Sequence, residues 1–152
     1  IEIANIFRMT ALNEKEHAEI YFKFLDGEEV QILNATYPSC FGDTRANLMC
    51  AAKYEEEEHS LLYPEFGTIA EEEGFKDIAA AFFNIATIEA HHSKRYTKLH
   101  ERLINNEMFK RKDKQNWMCS HCGFIVENES APEKCPVCSK PQGYFHILCN
   151  CI

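Results

Sequence analysis

Three stretches of the chain repeat apolar positions at steps of three and four, the spacing of one face of an α-helix. The first runs over residues 1–26, with Ile3, Phe7, Thr10, Glu14, His17, Tyr21 and Phe24 on one stripe. Gly27 suits its C-terminal cap, because glycine takes the left-handed conformation without penalty. The second covers about 44–73 and carries Leu48, Ala51, Ala52, Glu55, Glu58, His59, Leu62 and Ile69. Asp43 is placed as its N-cap, and Pro64 predicts a kink inside it. The third runs from about 75 to 106, after the break at Gly74, with Ile78, Phe82, Ile85, Glu89, His92, Tyr96, Leu99 and Leu103 on its stripe. Between the first two, residues 28–42 include a β-rich run from Val30 to Leu33 and are too long for a tight helix hairpin. They read as a crossover along a bundle. The polar stretch Lys110–Gln115 reads as a linker. Residues 117–148 are short, cysteine-bearing and punctuated by Pro and Gly, and predict a small β-rich knuckle that needs a metal to fold. Trp117, Phe124, Tyr144 and Phe145 are its expected core. The pattern divides the chain into a helical domain at 1–112 and a knuckle domain at 113–152.

Two of the helical stripes are interrupted by the same motif. Glu14 and His17 form Glu-x-x-His on the first, and Glu89 and His92 form it on the third. Residues three apart on a helix face the same way. Glu55 and Glu58 have the same spacing on the middle helix. Charged groups on core-facing positions are costly unless neutralised. A pair of divalent cations would neutralise them, with carboxylates bridging and imidazoles terminating, as in di-iron bundles. One Glu-x-x-His is commonly a solvated pair; two on apolar stripes, with an acidic helix between, point to ligands. Register separates neighbours. His91 shares a face with Lys94, Arg95 and Lys98, which leaves His92 as the ligand. Glu16 shares a face with Asn13 and Lys23, which favours Glu14. Glu56 falls at the edge of its stripe and Glu57 in solvent.

The eight cysteines divide in the same way. Cys119-x2-Cys122 and Cys135-x2-Cys138 place two thiolate pairs on two tight turns, the arrangement of a tetrahedral four-sulfur site. Iron and zinc both accept it. Cys40 and Cys50 read as small apolar packing residues. Cys149 and Cys151 lie in a terminal tail with the wrong spacing for the cage.

Composition narrows the function classes. The 152 residues carry 16 Lys+Arg against 24 Asp+Glu, a formal net charge of −8. Of this, −7 falls within 1–112, where four acids are candidate ligands whose charge a bound cation would offset. The acidic balance argues against nucleic acid as a partner. No apolar run is long enough to span a membrane and no secretory signal is visible, so the expected compartment is the cytoplasm. The chain opens on Ile1 in helical register without Met.

The motifs together resemble the rubrerythrin family. The matching stretches are Asn13-Glu14-Lys15-Glu16-His17-Ala18, the helix start at Asp43-Thr44 with Ala46-Asn47-Leu48, Glu55-x-x-Glu58 followed by Leu62-Tyr63-Pro64, Ile88-Glu89-x-x-His92, the cysteine quartet, Ala131-Pro132-Glu133 and Cys135-Pro136-Val137-Cys138. The resemblance implies a mainly α, ferritin-like four-helix bundle followed by a β-rich rubredoxin-like domain. The sequence begins at what resembles the second bundle helix. The expectation is therefore that the first helix, with a further Glu ligand, lies outside this sequence, or else that another copy supplies it.

The resemblance also implies a non-haem di-iron peroxidase that reduces hydrogen peroxide to water in defence against oxidative stress. Glu14 and Glu89 take the place of bridging carboxylates, Glu55 and Glu58 of mainly terminal ones, and His17 and His92 of the imidazole ligands. Tyr63 resembles a tyrosine that hydrogen-bonds a ligand carboxylate; a core tyrosine is the alternative. The implied cofactors are two Fe ions at the Glu/His site and one at Cys119, Cys122, Cys135 and Cys138, with Zn a possible substitute there. The implied electron donors are an NAD(P)H-dependent reductase, rubredoxin or both, serving a head-to-tail homodimer. Ser139 departs from the Gly often found after the second knuckle. An iron-oxidising or iron-storing protein with a structural zinc ribbon is the alternative function. A pure interaction module leaves the ligand-type residues on apolar stripes unexplained.

Overall fold

A computed structural model describes residues 1–25, 27, 29–31 and 36–148 of the chain. The expected run at Val30–Leu33 lies partly, and Cys149 and Cys151 wholly, outside these residues. The chain forms two compact units, Thr10–Glu101 and Ile1–Met9 with Arg102–Ile152.

The helices of the first unit follow the predicted stripes. Helix α1 is Glu2–Lys23, α2 is Thr44–Glu57, α3 is Tyr63–Glu72 and α4 is Lys76–Ile104. Asp43 caps α2 as expected: its side chain accepts a hydrogen bond of 2.8 Å from the Ala46 amide. Gly42 and Asn47 add a reciprocal pair of bonds across the same start, at 2.9 and 3.0 Å. α1 ends four residues short of Gly27, whose φ is +75°.

The second predicted helix is interrupted, and not by a simple proline kink. Residues Glu58–Leu62 form a π-helical turn between α2 and α3, closed by the Tyr63 amide donating to the Glu58 carbonyl. Pro64 sits in the first turn of α3. Proline lacks the amide that the carbonyl four residues earlier would need, and its ring crowds that carbonyl. Widening the preceding turn by one residue relieves the crowding without breaking the helix.

The core of this unit is built from Leu48, Ala70, Ala79, Ile85, Ala86, Tyr96 and Leu99, together with buried Thr10, His17, Glu55, Glu89, His92 and Ser93. Gly67 lets the Phe83 ring of α4 pack directly on the backbone of α3. A Cβ on Gly67 would lie 2.6 to 2.9 Å from ring atoms of Phe83. Gly67→Ala is therefore expected to destabilise the chain by about 1–3 kcal/mol through overpacking. Urea unfolding of the variant tests this; an unchanged midpoint would show that the Phe83 ring yields freely.

The cysteines outside the quartet need a correction. Cys40 and Cys50 are not separate packing residues: they form a disulfide, with Cα atoms 6.4 Å apart. The chain before α2 folds back along that helix and brings the two together, a tertiary closure that spacing alone does not announce.

In the second unit three antiparallel strands lie in the order β2-β1-β3, where β1 is Lys110–Cys119, β2 is Ile125–Ser130 and β3 is Phe145–Ile147. The expected linker at 110–115 is thus the first half of β1. Its side chains are largely exposed, and a bulge between Lys110 and Gln115 interrupts the ladder, which explains its polar composition. Trp117 and Phe145 are fully buried with Cys119, Ala131 and Cys135, and Phe124 and Tyr144 pack against them, as expected. The Trp117 indole donates to the Asn128 carbonyl at 3.0 Å. No helix among the described residues is long and apolar enough to cross a membrane.

Candidate metal centres

α1, α2 and α4 each turn acidic or imidazole groups into the helical core. One ligand atom from each of Glu14, Glu55, Glu89 and His92 falls within 4.8 Å of the others. His17 adjoins the group, with its Nδ1 3.1 Å from Glu14 and 3.0 Å from Glu89. The two imidazole rings lie 6.2 Å apart and nearly parallel. Glu89 is wholly buried and His92 nearly so. His91, Glu16 and Glu56 are exposed, in keeping with their register. Glu56 instead accepts a 3.0 Å hydrogen bond from the Ser93 hydroxyl. Glu58 lies at the start of the π turn, half-buried and outside the compact four.

The carboxylates are not equivalent. Glu14 directs Oε2 to His17 and Oε1 to His92, at 3.1 and 3.2 Å. Glu89 does the same with Oε1 and Oε2, at 3.0 and 2.8 Å. Each therefore spans the two histidines. Glu55 reaches only His92, at 3.1 Å.

These contacts exceed what protons can satisfy. Three carboxylates crowd His92 Nδ1, which carries at most one hydrogen. Glu14 Oε1 and both Glu89 oxygens are buried without a hydrogen-bond partner. Buried carboxylates and imidazoles left in this condition are costly, and hard divalent cations accept this donor set. The residues thus fit a pair of iron ions.

Charge coupling supports the same picture. Burial pushes the Glu58 carboxyl up to about 7, reinforced by the charges of Glu89, Glu55 and Glu14. Glu55 is also raised, chiefly by burial. Burial opposes ionisation of Glu14, but contacts with His92 and His17 outweigh it and lower its pKa. Burial likewise opposes protonation of His92, but its carboxylate neighbours hold it up to about 11. A cation must displace the His92 proton and part of the Glu58 proton at pH 7. Ferrous loading is therefore expected to release roughly one to two protons per chain, and its affinity to rise with pH from 5 to 8. Calorimetry in buffers of different ionisation enthalpy reads this directly; pH-independent loading without proton release would contradict it.

Tyr63 packs with Tyr21 and Phe82, their ring centroids 4.8 to 6.0 Å apart. Burial, then the Glu58 charge, raises the Tyr63 pKa. Sequence reasoning gave Tyr21 no role beyond its stripe. Its hydroxyl is buried without a partner, and its pKa is raised by burial and then by the charges of Glu89, Glu58 and Glu14. His59 was also left unassigned; its Nδ1 lies 3.0 Å from the Ala86 carbonyl, so that nitrogen carries the proton. Arg95 donates to Thr10 at 2.6 Å, fastening α4 to α1 near the histidines.

The cysteine quartet forms the second centre. All four Sγ atoms lie within 4.8 Å of one another. The pairs Cys119–Cys138 and Cys122–Cys135 are 3.7 Å apart. A regular tetrahedron of metal–sulfur bonds near 2.3 Å has edges of about 3.8 Å. The two knuckles repeat one another. The Gly123 amide donates to the Cys119 carbonyl and the Ser139 amide to the Cys135 carbonyl, both at 2.9 Å. Both residues have left-handed backbones, with φ +77° and +61°. Ser139 thus adopts the conformation that glycine would favour, so the substitution preserves the turn. Burial opposes ionisation of Cys135, but the backbone amides of Cys138 and Val137 and neighbouring thiols bring it down to about 7.

The chain has relatives with the same order of parts. Residues 1–113 match the family described as Rubrerythrin, and residues 117–146 match Rubrerythrin, rubredoxin-like domain. Rubrerythrin-1 of Clostridium acetobutylicum is 48% identical, over 97% of this chain and 78% of that protein. Rubrerythrin of Porphyromonas gingivalis is 44% identical, over 97% and 74%. The solved structure titled "Partially Reduced State of Nigerythrin" superposes with a TM-score of 0.58 at 29% identity, covering 96% of this chain and 70% of that one. A fully reduced, all-ferrous state of nigerythrin matches equally, at 0.58 and 28%. A ferritin-like helical part bearing a Glu/His di-iron group, followed by a rubredoxin-like four-cysteine iron site, makes this chain a member of the rubrerythrin family.

Proposed function

We propose that the chain is an oxidoreductase that reduces hydrogen peroxide to water at the Glu/His centre, with electrons relayed through the cysteine quartet. The observation that carries this reading is the convergence of half-buried Glu14 and buried Glu55, Glu89 and His92 on one point, with buried carboxylate oxygens that lack a hydrogen-bond partner. The division of labour follows the chain, with 1–112 holding the peroxide chemistry and 113–152 the relay.

A di-ferrous pair supplies two electrons in one place, which matches the two-electron cleavage of an O–O bond. The chain does the holding. Glu14 and Glu89, each reaching both histidines, would hold the iron pair as its bridging carboxylates. Glu55, which reaches one histidine, would serve as a terminal ligand, with His17 and His92 as the imidazole ligands. Glu58 is the remaining carboxylate, placed by the π turn. Tyr63, Tyr21 and Phe82 stack into an aromatic cluster, and the charges of Glu58 and Glu89 act on both tyrosine hydroxyls. Cys119, Cys122, Cys135 and Cys138 hold the relay iron. An NAD(P)H-dependent reductase, rubredoxin or both would feed it, in a head-to-tail homodimer in the cytoplasm.

Metal analysis with NADH-coupled peroxide turnover tests this reading. About three irons per chain, a visible iron–thiolate band and peroxide-dependent NADH oxidation are the expected results. Zinc at the quartet, no visible band and iron uptake without peroxide turnover would replace it with the iron-storing alternative.

A further inference from the structure

Cys40 and Cys50 take no part in either metal centre. Cys40 is exposed and precedes Phe41, whose side chain is wholly solvent-facing. Cys50 is half-buried on α2. The two are joined in a disulfide across the start of that helix. The start does not depend on the bond for its order. Asp43 caps it, and Gly42 and Asn47 clasp it with their own reciprocal hydrogen bonds. A disulfide that spans an independently fastened turn can open without unfolding the helix.

The bond also has a neighbour of interest. Thr36, Tyr37 and Pro38, just before Cys40, form one side of a cleft of about 570 Å³, and Lys53, Glu57 and Glu58 of the α2 segment form the other. The Cys40–Cys50 bond anchors the first side to the second.

We propose that Cys40 and Cys50 are a peroxide-responsive dithiol, a redox site separate from the iron centres, whose oxidation clamps the wall of the cleft that reaches Glu58. The exposed Cys40 thiolate attacks one peroxide oxygen. The O–O bond breaks, Cys40 becomes a sulfenic acid, and the departing hydroxide takes a proton to become water. The Cys50 thiolate then attacks the Cys40 sulfur. The S–S bond forms, the S–O bond breaks, and the oxygen leaves with protons as a second water. Two thiols and one hydrogen peroxide give one disulfide and two waters. A dithiol reductant reverses the step by exchange, regenerating both thiols. No iron takes part, so this proposal stands or falls separately from the peroxidase reading.

The test uses the full iron-loaded chain and its Glu89→Ala variant. The protein is reduced with dithiothreitol under native conditions, freed of reductant, given one equivalent of hydrogen peroxide, alkylated and mapped by peptide mass spectrometry. Dithiothreitol should open the bond without change in helical circular dichroism. Peroxide should then convert the two alkylated peptides into a disulfide-linked pair in both proteins, at least as completely in Glu89→Ala, where no iron centre competes for the peroxide. In Cys50→Ser, a sulfenic-acid probe such as dimedone should label Cys40 at least tenfold more than it labels Cys50 in Cys40→Ser. Hydrogen exchange at 36–41 should slow on oxidation. A bond that resists dithiothreitol in the folded protein, thiols that stay fully alkylatable after peroxide, or oxidation that is lost in Glu89→Ala would each overturn the proposal.

Discussion

Replacing Glu89 with alanine is expected to empty the Glu/His centre of iron and to lower peroxide turnover by more than about a hundredfold. Loss of an outer hydrogen-bond partner of a metal site already costs ten- to a hundredfold, and Glu89, proposed above as a ligand itself, faces both histidines. The physical signature should separate a ligand from a structural acid. Glu89 is fully buried, and both of its oxygens lack hydrogen-bond partners. Removing it takes an anion from His17 and His92 and leaves a small cavity, so the metal-free variant should unfold somewhat earlier than the metal-free parent. The stabilisation that iron gives the parent should vanish in the variant. Glu89→Gln, which keeps the shape and loses the charge, should load poorly as well. Thermal unfolding with and without ferrous iron, beside peroxide assays, decides the matter. Full loading and unchanged turnover in both variants would reject Glu89 as a ligand.

The second large effect concerns the quartet. Cys135→Ser should abolish the visible iron–thiolate absorption, reduce bound iron by about one atom per chain and unfold the rubredoxin-like unit. Cys135 and Cys119 are core residues there, packed with Trp117 and Phe145, so the same sulfur atoms hold the metal and fill the interior. Structural metal binding in small domains is worth about 10–16 kcal/mol, far more than so small a core supplies alone. The chain contains one tryptophan, so its emission reports on this unit without interference. A red shift as buried Trp117 meets water is the expected result. A blue emission retained by a metal-free variant would show that the core holds itself together. Peroxide turnover with NADH should stop, because the relay is gone.

Most of the side chains gathered at the two candidate centres are legible in the sequence, for a definable reason. Glu14, His17, Glu89 and His92 stand out because they break apolar stripes, and a charge on a buried face demands an explanation. The CxxC pairs stand out because their spacing is local. Asp43 was legible for the same reason, since a cap acts within three residues. What the sequence withheld depends on contacts distant along the chain. The Cys40–Cys50 bond required the preceding segment to return along α2. The first half of β1 is polar because it is exposed and bulged, so its composition imitates a linker. Tyr21 sits on a stripe where any aromatic would serve; only its unpartnered hydroxyl distinguishes it. The π turn was half visible, since Pro64 announced a disturbance but not that the helix would absorb it by widening.

That widened turn also sets angular phase. Glu55 and Gly67 are both buried on the side facing α4, where Glu55 meets His92 and Gly67 meets Phe83. In an uninterrupted α-helix, residues twelve apart point about 120° from each other. One inserted residue reduces that angle to roughly 20°, which brings the carboxylate and the close-packed glycine onto a single face. Deleting one residue within Glu58–Leu62 would restore an ordinary helix with the two positions eleven apart and still about 20° from each other, whereas straightening the turn without a deletion would set them about 120° apart. The widened turn therefore absorbs one residue without loss of phase, so that one helical rod offers a ligand at one end and a packing surface at the other.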